Sequence, residues 1–163
     1  MPKTLKGACA CGAVTYRLTS PPLFVNCCHC KDCQRQTGSA FVINAIIETA
    51  RIKSKGVTED IAMPTESGRP HIVSRCPACK TALWSDYGGR KIMRFLRVGT
   101  LDDPSALPPD AHIFTRSKLR WVDLKNPARG ATTKKPALVV KVYYNMKKDW
   151  PASSLARRAA LGL

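Results

Sequence analysis

The chain has 163 residues, with 27 Lys and Arg against 11 Asp and Glu, and a formal net charge of +16. Its hydrophobic fraction of 44% excludes a disordered or collagen-like chain and suits one domain, over residues 1–163, with a sizeable core. No apolar run reaches the roughly 20 residues that a membrane span needs, and the N-terminus lacks the apolar stretch of a signal peptide. We therefore expect a cytoplasmic protein without a membrane partner.

Period-2 alternation and short apolar runs bounded by turn residues predict strands along most of the chain. These strands are expected near residues 13–18, 40–47, 70–75, 81–85, 92–98 and 111–115. A helical pattern is confined to a short turn near 31–36, closed by Gly38, and to a C-terminal segment at 153–161. The sequence thus predicts a mostly β domain with a short C-terminal helix.

Positive charge is concentrated toward the C-terminus. Residues 116–163 hold 12 Lys and Arg but only two acids, Asp123 and Asp149. We treat residues 123–163 as a basic C-terminal extension, in which the segment 125–135 is predicted to be a solvated loop. A charge run of this kind is more often a solvated face than a binding site.

The eight cysteines fall into three tight groups along the chain. They are Cys9-x-Cys11, Cys27-Cys28-x-Cys30-x2-Cys33 and Cys76-x2-Cys79. In a chain without a secretory signal, such spacing favours metal ligation over disulfides. Neighbours this close rarely have the geometry to bridge each other, whereas they readily direct several sulfurs at one ion.

Two of these groups together complete a four-thiolate zinc site. Its ligands would be Cys9, Cys11, Cys76 and Cys79. A site with four protein ligands leaves no position for a substrate, so we interpret it as structural. It would join the N-terminal strand to the middle of the chain and stabilise a fold whose contacts are mostly non-local.

The middle group supplies three sulfurs without a partner pair. A zinc ion with three thiolates keeps an open position, which can bind water or a substrate thiol and lower the thiol pKa. Spacing alone does not decide whether Cys27 or Cys28 is the first ligand, and Cys30 and Cys33 are the other two. His29 is better explained as a residue beside the site than as a ligand.

Several segments resemble the glutathione-dependent formaldehyde-activating enzyme family, which includes the centromere protein V relatives. They read GACACGAVTYRL, CCHCKDCQRQTGSAFV, CPACKTALWS and RVGTLDDPSALPPDAHIFTRSKLRWV, within residues 5–122. The resemblance implies a β-tent fold of two or three small antiparallel sheets pinned by two zinc ions per chain. After the second cysteine of the last pair the family usually has Gly, where this chain has Lys80. A positive φ there would cost a non-glycine residue about 1 kcal/mol.

The resemblance also implies an activity. Cys28, Cys30 and Cys33 would hold the catalytic zinc, and the other four cysteines the structural one. The implied enzyme is a carbon–sulfur lyase that adds the thiol of glutathione, or a related thiol, to formaldehyde or another small aldehyde. The product with glutathione is S-(hydroxymethyl)glutathione, and the reverse reaction breaks the same carbon–sulfur bond.

Glutathione carries two carboxylates, so its pocket should present cations, backbone N–H groups or hydroxyls. The candidates for substrate binding are Gln34, Arg35, Thr37, Gly38, Ser39 and His112. The first five are also explained as the turn into the next strand, and His112 is better explained as a hydrogen-bonded structural histidine than as an acid–base group near the zinc.

A basic zinc-binding module that contacts nucleic acid without catalysis is the alternative class. The chain lacks Cys2His2 zinc-finger spacing, a recognition-helix pattern and aromatic–basic alternation. Any contact with nucleic acid is therefore expected to be non-specific. The sequence is compatible with a homo-oligomer and does not define its size.

Overall fold

The computed structural model describes residues 5–124, 138–139 and 149–163. The strands are β1 (Lys6–Ala8), β2 (Thr15–Leu18), β3 (Phe24–Cys28), β4 (Val42–Glu48), β5 (Ile52–Lys55), β6 (Glu59–Ala62), β7 (His71–Arg75), β8 (Ala82–Tyr87), β9 (Met93–Arg97), β10 (Ala111–Ile113) and β11 (Leu138–Val139). The α-helices are α1 (Lys31–Thr37) and α2 (Ala152–Ala159). The prediction of a mostly β domain with a short C-terminal helix is confirmed.

The strands form two sheets. One has the order β1-β2-β5 and is antiparallel, and the other has the order β11-β10-β3-β4-β9-β8-β7-β6. Within the larger sheet, β10 runs parallel to both β3 and β11, in contrast to the antiparallel pairing that the family resemblance implies. A parallel neighbour needs a long crossover connection, and β10 lies more than 80 residues after β3, its partner.

The larger sheet buries residues on both faces. On one face Val25 and Leu96 pack with Tyr16 and Leu18 of the small sheet. On the other face Phe24, Ile46 and Met93 pack with Trp150 and, at the margin, with Leu155 of α2. Because successive side chains of a strand point to opposite faces, neighbouring residues of β3 belong to different cores.

Ion pairing attaches α2 to the larger sheet. Arg157 contacts both carboxylate oxygens of Glu48, with Nε–Oε1 at 2.9 Å and Nη2–Oε2 at 2.6 Å. Arg157 also donates from Nη1 to the Pro21 carbonyl at 2.9 Å, and the Ser154 hydroxyl donates to the Leu23 carbonyl at 2.5 Å. The Glu48 side chain is only 6% exposed, so this pair is largely withdrawn from solvent.

The six predicted strands appear as β2, β4, β7, β8, β9 and β10, with ends shifted by at most two residues. Both predicted helices are present, and Gly38 ends α1 with a φ of 61° while its N–H donates to the Gln34 carbonyl. Such a left-handed cap favours glycine. Sequence patterning missed β1, β3, β5, β6 and β11.

Among the described residues, no helix combines the length and apolar character needed to cross a membrane. Much of the basic extension, residues 125–137 and 140–148, lies outside the described residues. The solvated loop predicted at 125–135 falls in that part.

Candidate metal centres

The four cysteines predicted as a structural site converge at the ends of the two sheets. Cys9 and Cys11 lie in the turn after β1, whereas Cys76 and Cys79 follow β7, and all four sulfurs lie within 4.8 Å of one another. We call this group the quartet. The Cys9–Cys11 sulfurs are 3.5 Å apart and the Cys11–Cys76 sulfurs 3.7 Å. Tetrahedral zinc with bonds of about 2.3 Å would separate its sulfurs by about 3.8 Å.

The backbone around the quartet supports its sulfurs. The Val14 N–H donates to Cys9 Sγ at 3.2 Å. Hydrogen bonds from Thr81, whose hydroxyl lies 3.1 Å from Cys79 Sγ, lower the pKa of Cys79 to about 5. Lys80 has a φ of 60°, the left-handed conformation anticipated for this position, and its N–H donates to the Cys76 carbonyl at 2.9 Å.

The second group is carried by the end of β3 and the start of α1. Cys28 is the last residue of β3, Cys30 caps the N-terminus of α1, and Cys33 lies in its first turn. Their sulfurs lie within 4.8 Å of one another, and we call this group the trio. Within the described residues no other His, Cys, Asp or Glu ligand atom joins it. The structure therefore places Cys28, and not Cys27, beside Cys30 and Cys33.

Hydrogen bonds among the three thiols of the trio give them different pKa values. Contacts with Cys28 and Cys33 lower the pKa of Cys30, while contacts with Cys30 and Cys33, together with burial, raise the pKa of Cys28. One thiol of the group thus ionises far more readily than another, as expected where several sulfurs compete for one region of space.

Cys27 belongs to a third group on the opposite face of β3. Its Sγ lies 3.6 Å from His29 Nε2, which is 3.1 Å from His112 Nδ1. Cys27 and His29 are fully buried, and His112 is partly exposed. Burial raises the pKa of Cys27 to about 12, lowers that of His29 to about 4, and lowers that of His112.

A cleft of about 460 Å³ lies between the end of α1, the start of β4 and the turn that holds Cys79. Val42, the register partner of Cys28, lines it, and so does Thr37, whose hydroxyl donates to the Cys33 carbonyl at 2.8 Å. The cleft thus reaches Cys79 of the quartet and is lined by residues of the helix and the strand that adjoin the trio, while the trio cysteines themselves are outside its lining. Its lining comprises Gln36, Thr37, Phe41, Val42, Ile43, Arg75, Cys79, Lys80, Thr81, Ala82, Arg97, Val98, Gly99 and Pro104.

The charge of the cleft is positive, because its lining includes Arg75, Lys80 and Arg97 and no acid. Lys80 is paired with Glu59 at 2.8 Å. Arg97 is only 7% exposed and donates from Nη1 to Asn44, and its Nε has no hydrogen-bond partner among the described residues. A buried guanidinium with a free donor beside a cleft suits recognition of a carboxylate.

The residues predicted to bind substrate take different positions. Thr37 lines the cleft, whereas Gln34 donates to the His29 carbonyl at 2.7 Å and the Ser117 carbonyl at 2.9 Å. The remaining predicted residues are outside the cleft lining: Arg35, Gly38 and Ser39 are exposed, and His112 lies in the third group.

Sequence reasoning missed Gln36 and Arg97 as cleft residues. Gln36 follows Cys33 by three positions, a spacing that places both on one face of a helix. That signal was available in the sequence. No comparable signal marked Arg97, because an arginine in a strand is ordinarily exposed.

Thiol clusters of this composition are typical of zinc proteins, with a closed four-sulfur site and a more open three-sulfur site. The family model of the glutathione-dependent formaldehyde-activating enzyme matches residues 4–117, and the chain belongs to this family. It is 28% identical over 131 residues to a Halomonas elongata protein named after the same family, covering 75% of this chain and 82% of that protein. A crystal structure of a Rhodobacter sphaeroides protein matches with 20% identity and a TM-score of 0.46, over 60% of this chain and 87% of the other.

Proposed function

We propose that this protein is a zinc-dependent carbon–sulfur lyase that adds the thiol of glutathione to formaldehyde and catalyses the reverse cleavage. The observation that carries the proposal is the trio of sulfurs, which lacks a fourth protein ligand among the described residues. A cationic cleft is lined by Thr37 of the same helix and by Val42, the register partner of Cys28. In this proposal Cys9, Cys11, Cys76 and Cys79 hold a structural zinc. We assign the protein to the cytoplasm, where its eight free thiols would stay reduced.

The chemistry of the trio fits the metal. Three thiols gathered within 4.8 Å by a strand end and one helical turn form a soft donor set that prefers zinc to magnesium or calcium. Bound zinc would supply a Lewis acid that lowers the pKa of a thiol at its open position. Cys28, Cys30 and Cys33 would hold it there.

The reaction is an addition that balances without a further reactant. The substrate sulfur forms a bond to the carbonyl carbon, the carbonyl π electrons move to oxygen, and that oxygen takes up the proton released by the thiol. The reverse reaction breaks the carbon–sulfur bond and returns the proton to sulfur. No redox cofactor is required in either direction.

The cleft would bind the rest of the thiol substrate. Arg97 has a free Nε donor, and Arg75 lies in the same lining, so both are suited to the two carboxylates of glutathione. A volume of about 460 Å³ is within the range of small-molecule sites. The net charge of +16 would also steer an anionic substrate toward the protein.

Exchange spectroscopy by NMR on glutathione, formaldehyde and zinc-loaded protein tests this proposal. Because the thiol adds to formaldehyde unaided, the protein must accelerate interconversion clearly above the uncatalysed rate. We expect Cys30→Ser to abolish the acceleration, whereas the exposed β5 substitution Ser54→Ala retains it. If the wild-type protein, with metal bound, gives no acceleration, this activity is refuted. If Cys30→Ser keeps the full rate, the trio is not the site.

A further inference from the structure

Sequence alternation at the end of β3 separates two sets of ligating side chains. Cys28 and Cys30 alternate with Cys27 and His29, so the two sets project to opposite faces. The His29 N–H donates to the Ile113 carbonyl at 3.0 Å, which continues the pairing with β10 beyond the last residue of β3. The second set is therefore positioned by regular backbone pairing, on the face opposite to the trio.

The parallel strand β10 brings a third side chain to the same place. His112 is the register partner of Cys27, so it projects from the same face of the sheet. The Cys27 sulfur and one ring nitrogen each of His29 and His112 all lie within 4.8 Å of one another. Residues 83 positions apart in the sequence thus present three ligand atoms to one point.

The distances agree with those around a tetrahedral zinc ion. Bonds of about 2.0–2.1 Å to nitrogen and about 2.3 Å to sulfur would separate two nitrogens by about 3.3 Å and nitrogen from sulfur by about 3.6 Å. The observed values are 3.1 Å between the two imidazole nitrogens and 3.6 Å between His29 Nε2 and Cys27 Sγ. A shift of a few tenths of an ångström would suffice for binding.

We propose that Cys27, His29 and His112 form a further metal site, selective for a zinc-class divalent ion and distinct from the trio and the quartet. Two imidazoles and one thiolate are the donors that zinc and its neighbours among the first-row metals prefer. His112, which is partly exposed, provides the route from solvent, while Cys27 and His29 are enclosed by the sheet.

Metal counting tests this site. The full-length protein is equilibrated with zinc, freed of unbound ion by gel filtration, and analysed for zinc per chain by plasma mass spectrometry. We expect the wild-type protein to hold one zinc more than Cys27→Ser and one more than His112→Gln. Val25→Ala, a cavity-forming substitution on the same face of β3, should keep the wild-type count and control for general disturbance of the strand.

The two variants distinguish this site from the trio. His112 is remote in sequence from Cys28, so a loss shared by Cys27→Ser and His112→Gln locates the ion between them. A loss in Cys27→Ser alone would reflect disturbance of the neighbouring Cys28 and would overturn the proposal, as would wild-type counts in both variants. If Cys27→Ser fails to fold, His112→Gln decides alone. Cys28→Ser should remove a different ion. The double variant that combines Cys27→Ser with Cys28→Ser should therefore hold two zinc ions fewer than the wild-type protein.

Discussion

The quartet and the trio should contribute very differently to stability, and replacing one cysteine in each measures the difference. Cys79→Ser removes a sulfur from the group that joins the turn after β1 to the turn after β7. Cys30→Ser removes one from a group confined to residues 28–33. Both substitutions exchange sulfur for oxygen at a partly exposed side chain, so the change in packing is closely matched.

The length of the loop that each group closes determines how much it is expected to stabilise the fold. Cys11 and Cys76 are 65 positions apart, and a cross-link that closes a loop of this length stabilises the fold by about 4 kcal/mol through the entropy of the unfolded chain. The loop closed within the trio spans residues 28–33, for which the same relation gives about 2 kcal/mol. For a chain of this size, 1 kcal/mol shifts the melting temperature by about 2–4 °C. We therefore expect a loss of about 8–16 °C for Cys79→Ser and about half of that for Cys30→Ser.

Thermal unfolding followed by circular dichroism, with zinc content measured on the same samples, provides the test. We expect the zinc content to fall in each variant. A melting temperature that falls as far in Cys30→Ser as in Cys79→Ser would refute the division into a structural and a substrate-binding group. A fully stable Cys79→Ser with unchanged zinc would refute the structural role of the quartet.

Three further substitutions test contacts outside the metal groups. Arg157→Ala leaves the buried Glu48 carboxylate without its main partner and should cost about 3 kcal/mol at neutral pH in chemical denaturation. In the wild type burial raises the pKa of Glu48 but Arg157 lowers it further, whereas in the variant burial acts without Arg157. The gap from wild type should therefore be full above the raised pKa of the variant's Glu48 and close as the pH falls, and a gap independent of pH would contradict this. Arg97→Met should lower kcat/KM for glutathione about tenfold to a hundredfold, as expected for loss of a charge-assisted hydrogen bond. The effect on kcat/KM for the uncharged thiol 2-mercaptoethanol should be smaller. Equal losses for both thiols, or an equal loss in the exposed control Arg17→Met, would argue against carboxylate binding. Lys80→Gly relieves the strain of a φ of 60° and should stabilise the protein by about 1 kcal/mol in thermal unfolding. A loss of stability would mean that the surface ion pair of Lys80 with Glu59 contributes more than the backbone strain costs.

The cysteine groups were predictable because each ligand pair is local. Two cysteines separated by one or two residues approach the same ion in almost any fold, so Cys9 with Cys11 and Cys76 with Cys79 follow from spacing alone. The structure brings those pairs together as the sequence predicted. Ligands that are distant in the sequence could not be grouped in this way, and nothing in the spacing linked His112 to Cys27. Their proximity depends on the parallel register of β10.

β3 shows why part of the fold could not be predicted. Its residues FVNCC are all buried, so they lack the alternation of polar and apolar residues that marks a half-exposed strand. β5 and β6 were missed for the opposite reason, because most of their residues are exposed. The strand that divides the ligands between two faces therefore lacks the alternation by which a strand is predicted.

The difference between the two thiol groups follows from where each is attached. The quartet connects the ends of strands from both sheets, so loss of a metal bound by these four sulfurs would loosen their junction. The trio depends on one strand end and one helical turn, and the sheet beneath it is held by backbone pairing with β4 and β10. A metal group that is not needed to hold the sheets together can change its ligands without loss of the fold. That freedom is what a site exchanging a substrate thiol requires, and it supports our proposal that the chemistry takes place at Cys28, Cys30 and Cys33.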